Sequence, residues 1–147
     1  MFSSLDQPLT QHDLDAVLAF LPIFEDKAHV AGELTPFERL DEHTLALPRA
    51  SYSREVFDFE RALYEHRWIV KFDWGEWGHG EGNHYFRSTE DIASAPLDDL
   101  RRVLTAISRQ DRFIEGGLLS HFESGLIVAV LRRIREFRCS WPKMPTS

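Results

Sequence analysis

Apolar residues recur at helical spacing in the stretch that follows Pro96. They form one helix face, composed of Leu97, Leu100, Val103, Leu104 and Ile107. Pro96 suits the start of a helix because its missing N–H leaves no intrahelical hydrogen bond unmade. Asp98 and Asp99 follow in the first turn, where the positive end of the helix dipole favours carboxylates. The pattern predicts a helix from Pro96 to about Phe113.

A second stretch, from Leu126 to Leu131, is apolar on every side. A buried strand can have the same composition, but helical spacing continues as far as Phe137 and favours a helix. Because a helix of this kind belongs in the middle of a core, we expect it to be the central helix of the fold. A short helix around Leu118 precedes it, and Gly125 ends that short helix in the left-handed conformation.

The first half of the chain predicts two further helices and a small β element. Thr10 and Asp13 have the spacing of a capping box, and the helix that they open is expected to end at about residue 25. Ser51 or Ser53 caps another helix, which reaches about residue 65. Segments 43–48 and 67–72 have the alternation or the composition of short strands.

These elements predict a mainly α domain of the α+β class. We expect about five helices packed around a central C-terminal helix, with a small two-stranded β element. The length fits a single domain that spans residues 1–147, and residues 1–9 and 139–147 are expected to fray.

The segment from Asp73 to Phe86 predicts a long loop, since it contains four of the eight glycines. Tryptophan and tyrosine on a loop are typical anchors of protein contacts, although the rings can instead fold back over the core. The candidate partner-binding residues are Trp74, Glu76, Trp77, His79 and Tyr85. We expect alanine at Trp74 and Trp77 to weaken partner binding without disturbing the fold.

The same segment carries His79, His84 and several carboxylates, which are the side chains that ligate divalent metals. The sequence offers no second anchor, such as a His-Glu-x-x-His helix. No histidine is placed to activate Cys139, and neither a nucleophile elbow nor a phosphate-binding loop occurs. We therefore expect no metal, no cofactor and no catalytic residue, and a metal-dependent hydrolase built on His79 and His84 is a weaker alternative.

Acidic residues are concentrated in the first two thirds of the chain. Residues 1–99 hold 8 Lys and Arg against 20 Asp and Glu, whereas residues 100–147 hold 9 against 4. The net charge of −7 argues against direct nucleic-acid binding and favours a basic protein partner. The single cysteine suits a reducing cytoplasm, and no apolar run has the length of a membrane span or the character of a secretory signal.

A polar cluster lies between the two apolar stretches, formed by Arg109, Asp111, Arg112 and Glu115. Three-residue spacings within the cluster allow its members to share one helix side. A salt-bridged helix junction is the commoner arrangement for such residues, and the alternative is a functional group of acids and arginines.

The region around this cluster resembles a bacterial and phage-associated family of domains of unknown function. The family's pattern is Arg-x-Asp-Arg-Phe-x-Glu-Gly-x-Leu-Leu, then Phe-x-x-Gly-x-Ile, then Leu-x-Arg. This chain matches it from Arg109 to Leu119, from Phe122 to Ile127 and from Leu131 to Arg133. Segments 21–25 and 47–53 resemble the family's earlier parts, whereas the tryptophan-glycine-histidine segment departs from the pattern. The resemblance implies one domain and marks the polar cluster, but it implies no reaction.

The sequence therefore favours a non-enzymatic, acidic protein–protein interaction module. We expect it to act as a small inhibitor of a basic nucleic-acid-handling complex in a phage or defence setting. The alternative is a small enzyme or ligand-binding domain that uses Asp111, Arg112 and Glu115, together with His121. A charged pocket at the helix junction would favour this alternative, whereas a buried pair without a cavity would count against it.

Overall fold

The computed structural model describes residues 4–35, 38–46, 49–111 and 116–141. Within these residues the chain forms eight α-helices and two small antiparallel sheets. The helices are α1 (Gln11–Leu18), α2 (Leu21–Glu25), α3 (Arg54–Glu65), α4 (Trp74–His79), α5 (Asn83–Arg87), α6 (Leu97–Gln110), α7 (Gly117–Glu123) and α8 (Leu126–Cys139), with a 3-10 turn at Asp91–Ser94. The strands are β1 (Gly32–Thr35), β2 (Glu38–Arg39), β3 (Leu45–Ala46) and β4 (Arg49–Tyr52). The mainly α, α+β class is confirmed.

The helix boundaries follow the capping signals of the sequence. Thr10 and Asp13 form a complete capping box at α1. The Ser53 hydroxyl accepts a hydrogen bond from the backbone N–H of Val56 at the start of α3. Gly125 has a φ of +85° between α7 and α8, as predicted. The first helix differs, because it ends at Leu18 and a separate short helix carries Pro22, whose ring and missing N–H prevent α1 from continuing.

The central helix of the fold is α8, as the apolar pattern predicts. Its buried residues are Leu126, Ile127, Val130, Leu131 and Ile134. The helix packs against α1, α2, α6 and α7 and against the 3-10 turn. Within the terminal segments that were expected to fray, Leu9 is buried and Trp141 packs against the core.

The β element differs from the predicted pairing. Strand β1 pairs with β4, with Gly32 opposite Tyr52, and β2 pairs with β3. The predicted strand at 43–48 therefore contributes β3, but segment 67–72 is not a strand, apart from an isolated bridge at Val70. Side-chain contacts hold this segment in place instead. Trp68 Nε1, for example, donates a hydrogen bond to the carbonyl of Asp13 at 2.9 Å. Its aromatic and β-branched composition reflects burial, which strands and buried irregular segments share.

A buried arginine fastens three parts of the fold together. Arg101 is 1% exposed, and its Nε and Nη2 donate to the carbonyl of Arg67 at 3.2 and 2.6 Å. Its Nη1 donates to the carbonyl of Gln7 at 2.8 Å. Burial lowers the pKa of the Arg101 guanidinium below its ordinary value. Arg67 has a φ of +65°, a left-handed conformation that is unfavourable for a residue with a side chain, and Arg101 holds that turn in place.

Candidate functional site

The segment expected to be a long loop is helical over most of its length. The Asp73 carboxylate caps α4 by accepting a hydrogen bond from the backbone N–H of Glu76 at 3.0 Å. After α4 the backbone at Gly82 passes close under Trp77, where a Cβ would lie 2.5 Å from the indole ring. Glycine content therefore misled the sequence interpretation, because packing of the Trp77 ring outweighs the low helix propensity of glycine.

Two of the predicted partner-binding residues point into the fold. The Trp77 ring stacks on Tyr85 at a centroid distance of 6.0 Å and meets Phe72 edge-on at 5.8 Å. Tyr85 is 5% exposed, and its hydroxyl donates to the Asp99 carboxylate at 2.6 Å. Burial, together with this hydrogen bond, raises the pKa of Tyr85 above its ordinary value. For Trp77 and Tyr85 the rings fold back over the core, and these residues support α4 and α5.

The other three predicted partner-binding residues lie at the surface. Glu76 and His79 are exposed on α4, and Trp74 is half-buried. Trp74 and His79 both line a pocket of about 200 Å³ between α4, α5, α6 and α7. The pocket is lined by Trp74, Gly75, Gly78, His79, Asn83, Phe86, Ala106, Gln110 and His121. We refer to it as the aromatic pocket.

Among the residues that line the aromatic pocket, His121 comes last in the sequence. Its Nε2 lies 3.4 Å from Gln110 Oε1, and its ring centroid lies 5.7 Å from that of Phe86. Burial lowers the pKa of His121 below its ordinary value, although the nearby Asp111 carboxylate acts in the opposite direction. The imidazole is therefore neutral at pH 7 and offers one hydrogen-bond donor and one acceptor.

A second depression lies on the other side of α4. This groove of about 380 Å³ is lined by Phe72, Asp73, Glu76, Trp77, Gly80 and Glu81, and we refer to it as the acidic groove. It combines three carboxylates with two aromatic rings. The spacing of the lining residues explains the arrangement, because positions 74, 75, 78 and 79 occupy one face of a helix and 73, 76, 77 and 80 occupy the opposite face. Helix α4 is thus a ridge between the two depressions.

The polar cluster is only partly visible in the described residues. The Asp111 carboxylate accepts hydrogen bonds from the Tyr52 hydroxyl at 2.6 Å and from the backbone N–H of Leu118 at 3.0 Å. Asp111 therefore joins β4, α6 and α7, as expected for a residue that holds a junction together. Arg109 is half-buried near the end of α6, and Arg112 and Glu115 lie outside the described residues. Asp111 is not among the residues that line the aromatic pocket.

The two histidines that suggested metal ligands lie in different surroundings. His79 faces the aromatic pocket, whereas His84 Nδ1 lies 2.9 Å from the carboxylate of Asp91. Within the described part of the chain, no group of three or more His, Cys, Asp or Glu side chains is arranged to hold a metal ion.

Fold and site together define a mainly α domain in which one short helix separates an aromatic pocket from an acidic groove. The chain belongs to a family of unknown function, DUF6508, whose sequence model matches residues 9–140. The predicted membership of an uncharacterised family is thereby confirmed. No curated protein and no solved structure matches the chain. Across the residues described here, no helix is both long and apolar enough to cross a membrane.

Proposed function

We propose that this chain is a non-enzymatic protein-binding module and that it contacts its partner through the α4 ridge. The observation that carries the proposal is the ridge itself, on which exposed Glu76 and half-buried Trp74 stand between two depressions. Partner surfaces bind well where an aromatic side chain adjoins a pocket that can be filled and desolvated. The remaining predicted binding residue on this surface is His79.

The chemistry of the acidic groove favours a basic partner. Asp73, Glu76 and Glu81 place three carboxylates beside the rings of Phe72 and Trp77. A lysine or arginine side chain gains both ion pairing and cation–π attraction in such a setting. The net charge of −7 adds a longer-range attraction for the same kind of partner and raises the rate of encounter.

The composition of the aromatic pocket favours binding over catalysis. Its titratable side chains are His79 and His121, and no serine, cysteine, lysine or carboxylate is among the residues that line it. Covalent catalysis needs a nucleophile of this kind within hydrogen-bond reach of an activating base. An enzymatic use of Asp111, Arg112 and Glu115 has less support, because Asp111 is occupied by Tyr52 and Leu118.

The more specific proposal is inhibition of a basic nucleic-acid-handling complex in a phage or defence setting. It is supported by the 20 acidic residues in residues 1–99. This concentration of negative charge would allow the chain to compete with nucleic acid for a basic surface. A nucleic-acid-handling partner presents a basic surface, which the acidic groove can occupy.

Charge reversal in the acidic groove tests the protein-binding function. The variant Glu76→Lys/Glu81→Lys should recover at least tenfold less partner than the unaltered chain in an affinity pull-down from nuclease-treated lysate of the native host, measured by quantitative mass spectrometry. The loss is expected because two attractive carboxylates become repulsive for a basic partner.

The matched control is Glu42→Lys/Glu65→Lys, which changes the net charge equally at two exposed positions outside the groove. It should retain most of the partner, since only long-range attraction is reduced. Equal loss in both variants would show that net charge alone drives recovery, and full retention in both would contradict the role of the ridge.

A further inference from the structure

Helix α4 contains two glycines that neither its backbone nor its neighbours require. Each glycine inside a helix lowers its stability relative to alanine. Among the described residues, the glycines with a left-handed backbone are Gly116 and Gly125, so Gly75 and Gly78 gain nothing from conformational freedom. A Cβ at Gly75 would meet its nearest neighbour at 3.8 Å and one at Gly78 at 3.9 Å, which are ordinary contact distances.

Both glycines line the aromatic pocket. Alanine at either position would fit the protein but would add a methyl group at the wall of the pocket, and at position 78 that group would lie beside the ring of Phe86. Glycine at these positions therefore keeps the pocket open and lets an occupant approach the helix backbone closely. Two glycines that weaken the helix and keep this side of the pocket open indicate an occupant in close contact with the helix.

We propose that the aromatic pocket receives one tyrosine side chain of the protein partner, held by rings at its sides and by neutral polar groups at its wall. This inference rests on the protein-binding function and names the residue that anchors it. Tyrosine combines a flat apolar body with a polar tip and is one of the residues that most often dominate binding at protein interfaces.

The lining matches a phenol in size and in chemistry. A cavity of about 150 Å³ holds a benzene ring, so a pocket of about 200 Å³ has room for the ring and its hydroxyl. Trp74 and Phe86 offer aromatic surface for the ring. The contact between His121 Nε2 and Gln110 Oε1 is 3.4 Å, which is long for a hydrogen bond, so a phenol hydroxyl can replace it with shorter bonds to either group.

The same lining disfavours a charged occupant. The carboxylates of Asp73, Glu76 and Glu81 belong to the acidic groove, and no arginine or lysine lines the aromatic pocket. A buried charge without an opposite charge nearby is strongly unfavourable. The two depressions therefore divide the recognition of one partner, with a neutral ring in the pocket and a cationic side chain in the groove.

The width of the ridge sets the spacing of these two partner residues. A helix with its side chains is about 10 Å across, and an extended chain advances about 3.3 Å per residue. An extended partner segment that crosses α4 would therefore place its tyrosine and its lysine or arginine about three residues apart.

The test is a titration of the purified chain with p-cresol, a small-molecule analogue of the tyrosine side chain, followed by NMR. Toluene and adenine serve as comparison probes for a ring without a hydroxyl and for a nucleobase. We expect saturable shift changes centred on the Trp74 indole, His79 and the His121 imidazole, and binding of p-cresol at least fivefold tighter than that of toluene or adenine.

The variant Gly75→Ala/Gly78→Ala should weaken p-cresol binding at least tenfold while raising the temperature of unfolding, because alanine favours the helix and fills the pocket. The control Glu42→Lys/Glu65→Lys should bind p-cresol as the unaltered chain does. Absence of saturable binding, unchanged binding in the double-alanine variant, or equal or tighter binding of adenine or toluene would overturn the inference. The pull-down with groove variants decides the protein-binding function independently of these outcomes.

Discussion

Replacing Trp77 with alanine is expected to lower the free energy of unfolding by about 3 to 5 kcal/mol, the usual range for removing a packed aromatic ring. The ring contacts Phe72, Tyr85 and Phe86, and the backbone at Gly82 lies directly against it. Its loss removes the packing that folds α4 and α5 onto the domain. For a domain of this size the melting temperature should fall by about 10 °C or more, which thermal and urea unfolding followed by circular dichroism will measure.

The matched control is Trp74→Ala, for which we expect a loss of about 1 kcal/mol. Both tryptophans are half-buried, but the Trp77 ring packs against the core, whereas Trp74 lines the aromatic pocket. The sequence alone predicted that both substitutions leave the fold intact, and the structure separates them. Equal and small effects of the two substitutions would mean that Trp77 does not hold this segment, and would restore the interpretation of the segment as a loop.

Replacing Arg101 with methionine should lower the free energy of unfolding by about 3 to 4 kcal/mol. Methionine fills much of the same space, but it removes the guanidinium that donates to the carbonyls of Arg67 and Gln7. Hydrogen bonds from a charged donor contribute about 1.5 to 3 kcal/mol each. Urea unfolding followed by tryptophan fluorescence gives the comparison.

The adjacent substitution Arg102→Met provides the control. Arg102 is half-buried and donates to the Asp99 carboxylate at 2.6 Å, an ion pair between residues three apart on one helix. Pairs of this kind contribute about 1 kcal/mol or less. If Arg101→Met is no more damaging than Arg102→Met, the buried guanidinium does not fasten α6 to the turn after α3.

Helices with strong apolar periodicity could be predicted from the sequence because their signals are local. The capping box at Thr10, the cap at Ser53 and the left-handed Gly125 each depend on a few neighbouring residues. The central position of α8 followed from its apolar surface alone. Local chemistry and tertiary packing agree at these positions.

Contacts between distant segments were beyond the reach of the sequence pattern. The sequence of α4 is typical of a loop because its glycines disfavour helix, and tertiary contacts such as the packing of Trp77 on Tyr85 reverse that preference. Arg101 looks like a solvent-facing arginine in a polar pair, although it stands one position after Leu100 and three before Leu104 on the buried face. That position is the one signal by which its burial could have been found.

The candidate site, like the fold, was predicted only in part from the sequence. Trp74, Glu76 and His79 were predicted from composition and lie at the surface around α4. The aromatic pocket was not predicted, because Gln110 and His121 reach it from α6 and α7, far along the chain from Trp74. Asp111 was singled out with the polar cluster, but its partners Tyr52 and Leu118 give it a structural task.

Site-specific photo-crosslinking tests most directly whether the partner binds at α4. A benzophenone side chain would replace Lys71, which is exposed beside the acidic groove, and in a separate protein Leu40, which is 60% exposed near the β element. After irradiation in the native host, we expect one dominant covalent adduct from position 71 and little of that adduct from position 40. An adduct that forms from position 40 and not from position 71 would contradict this binding site, because the partner would then dock near the β element and not at α4.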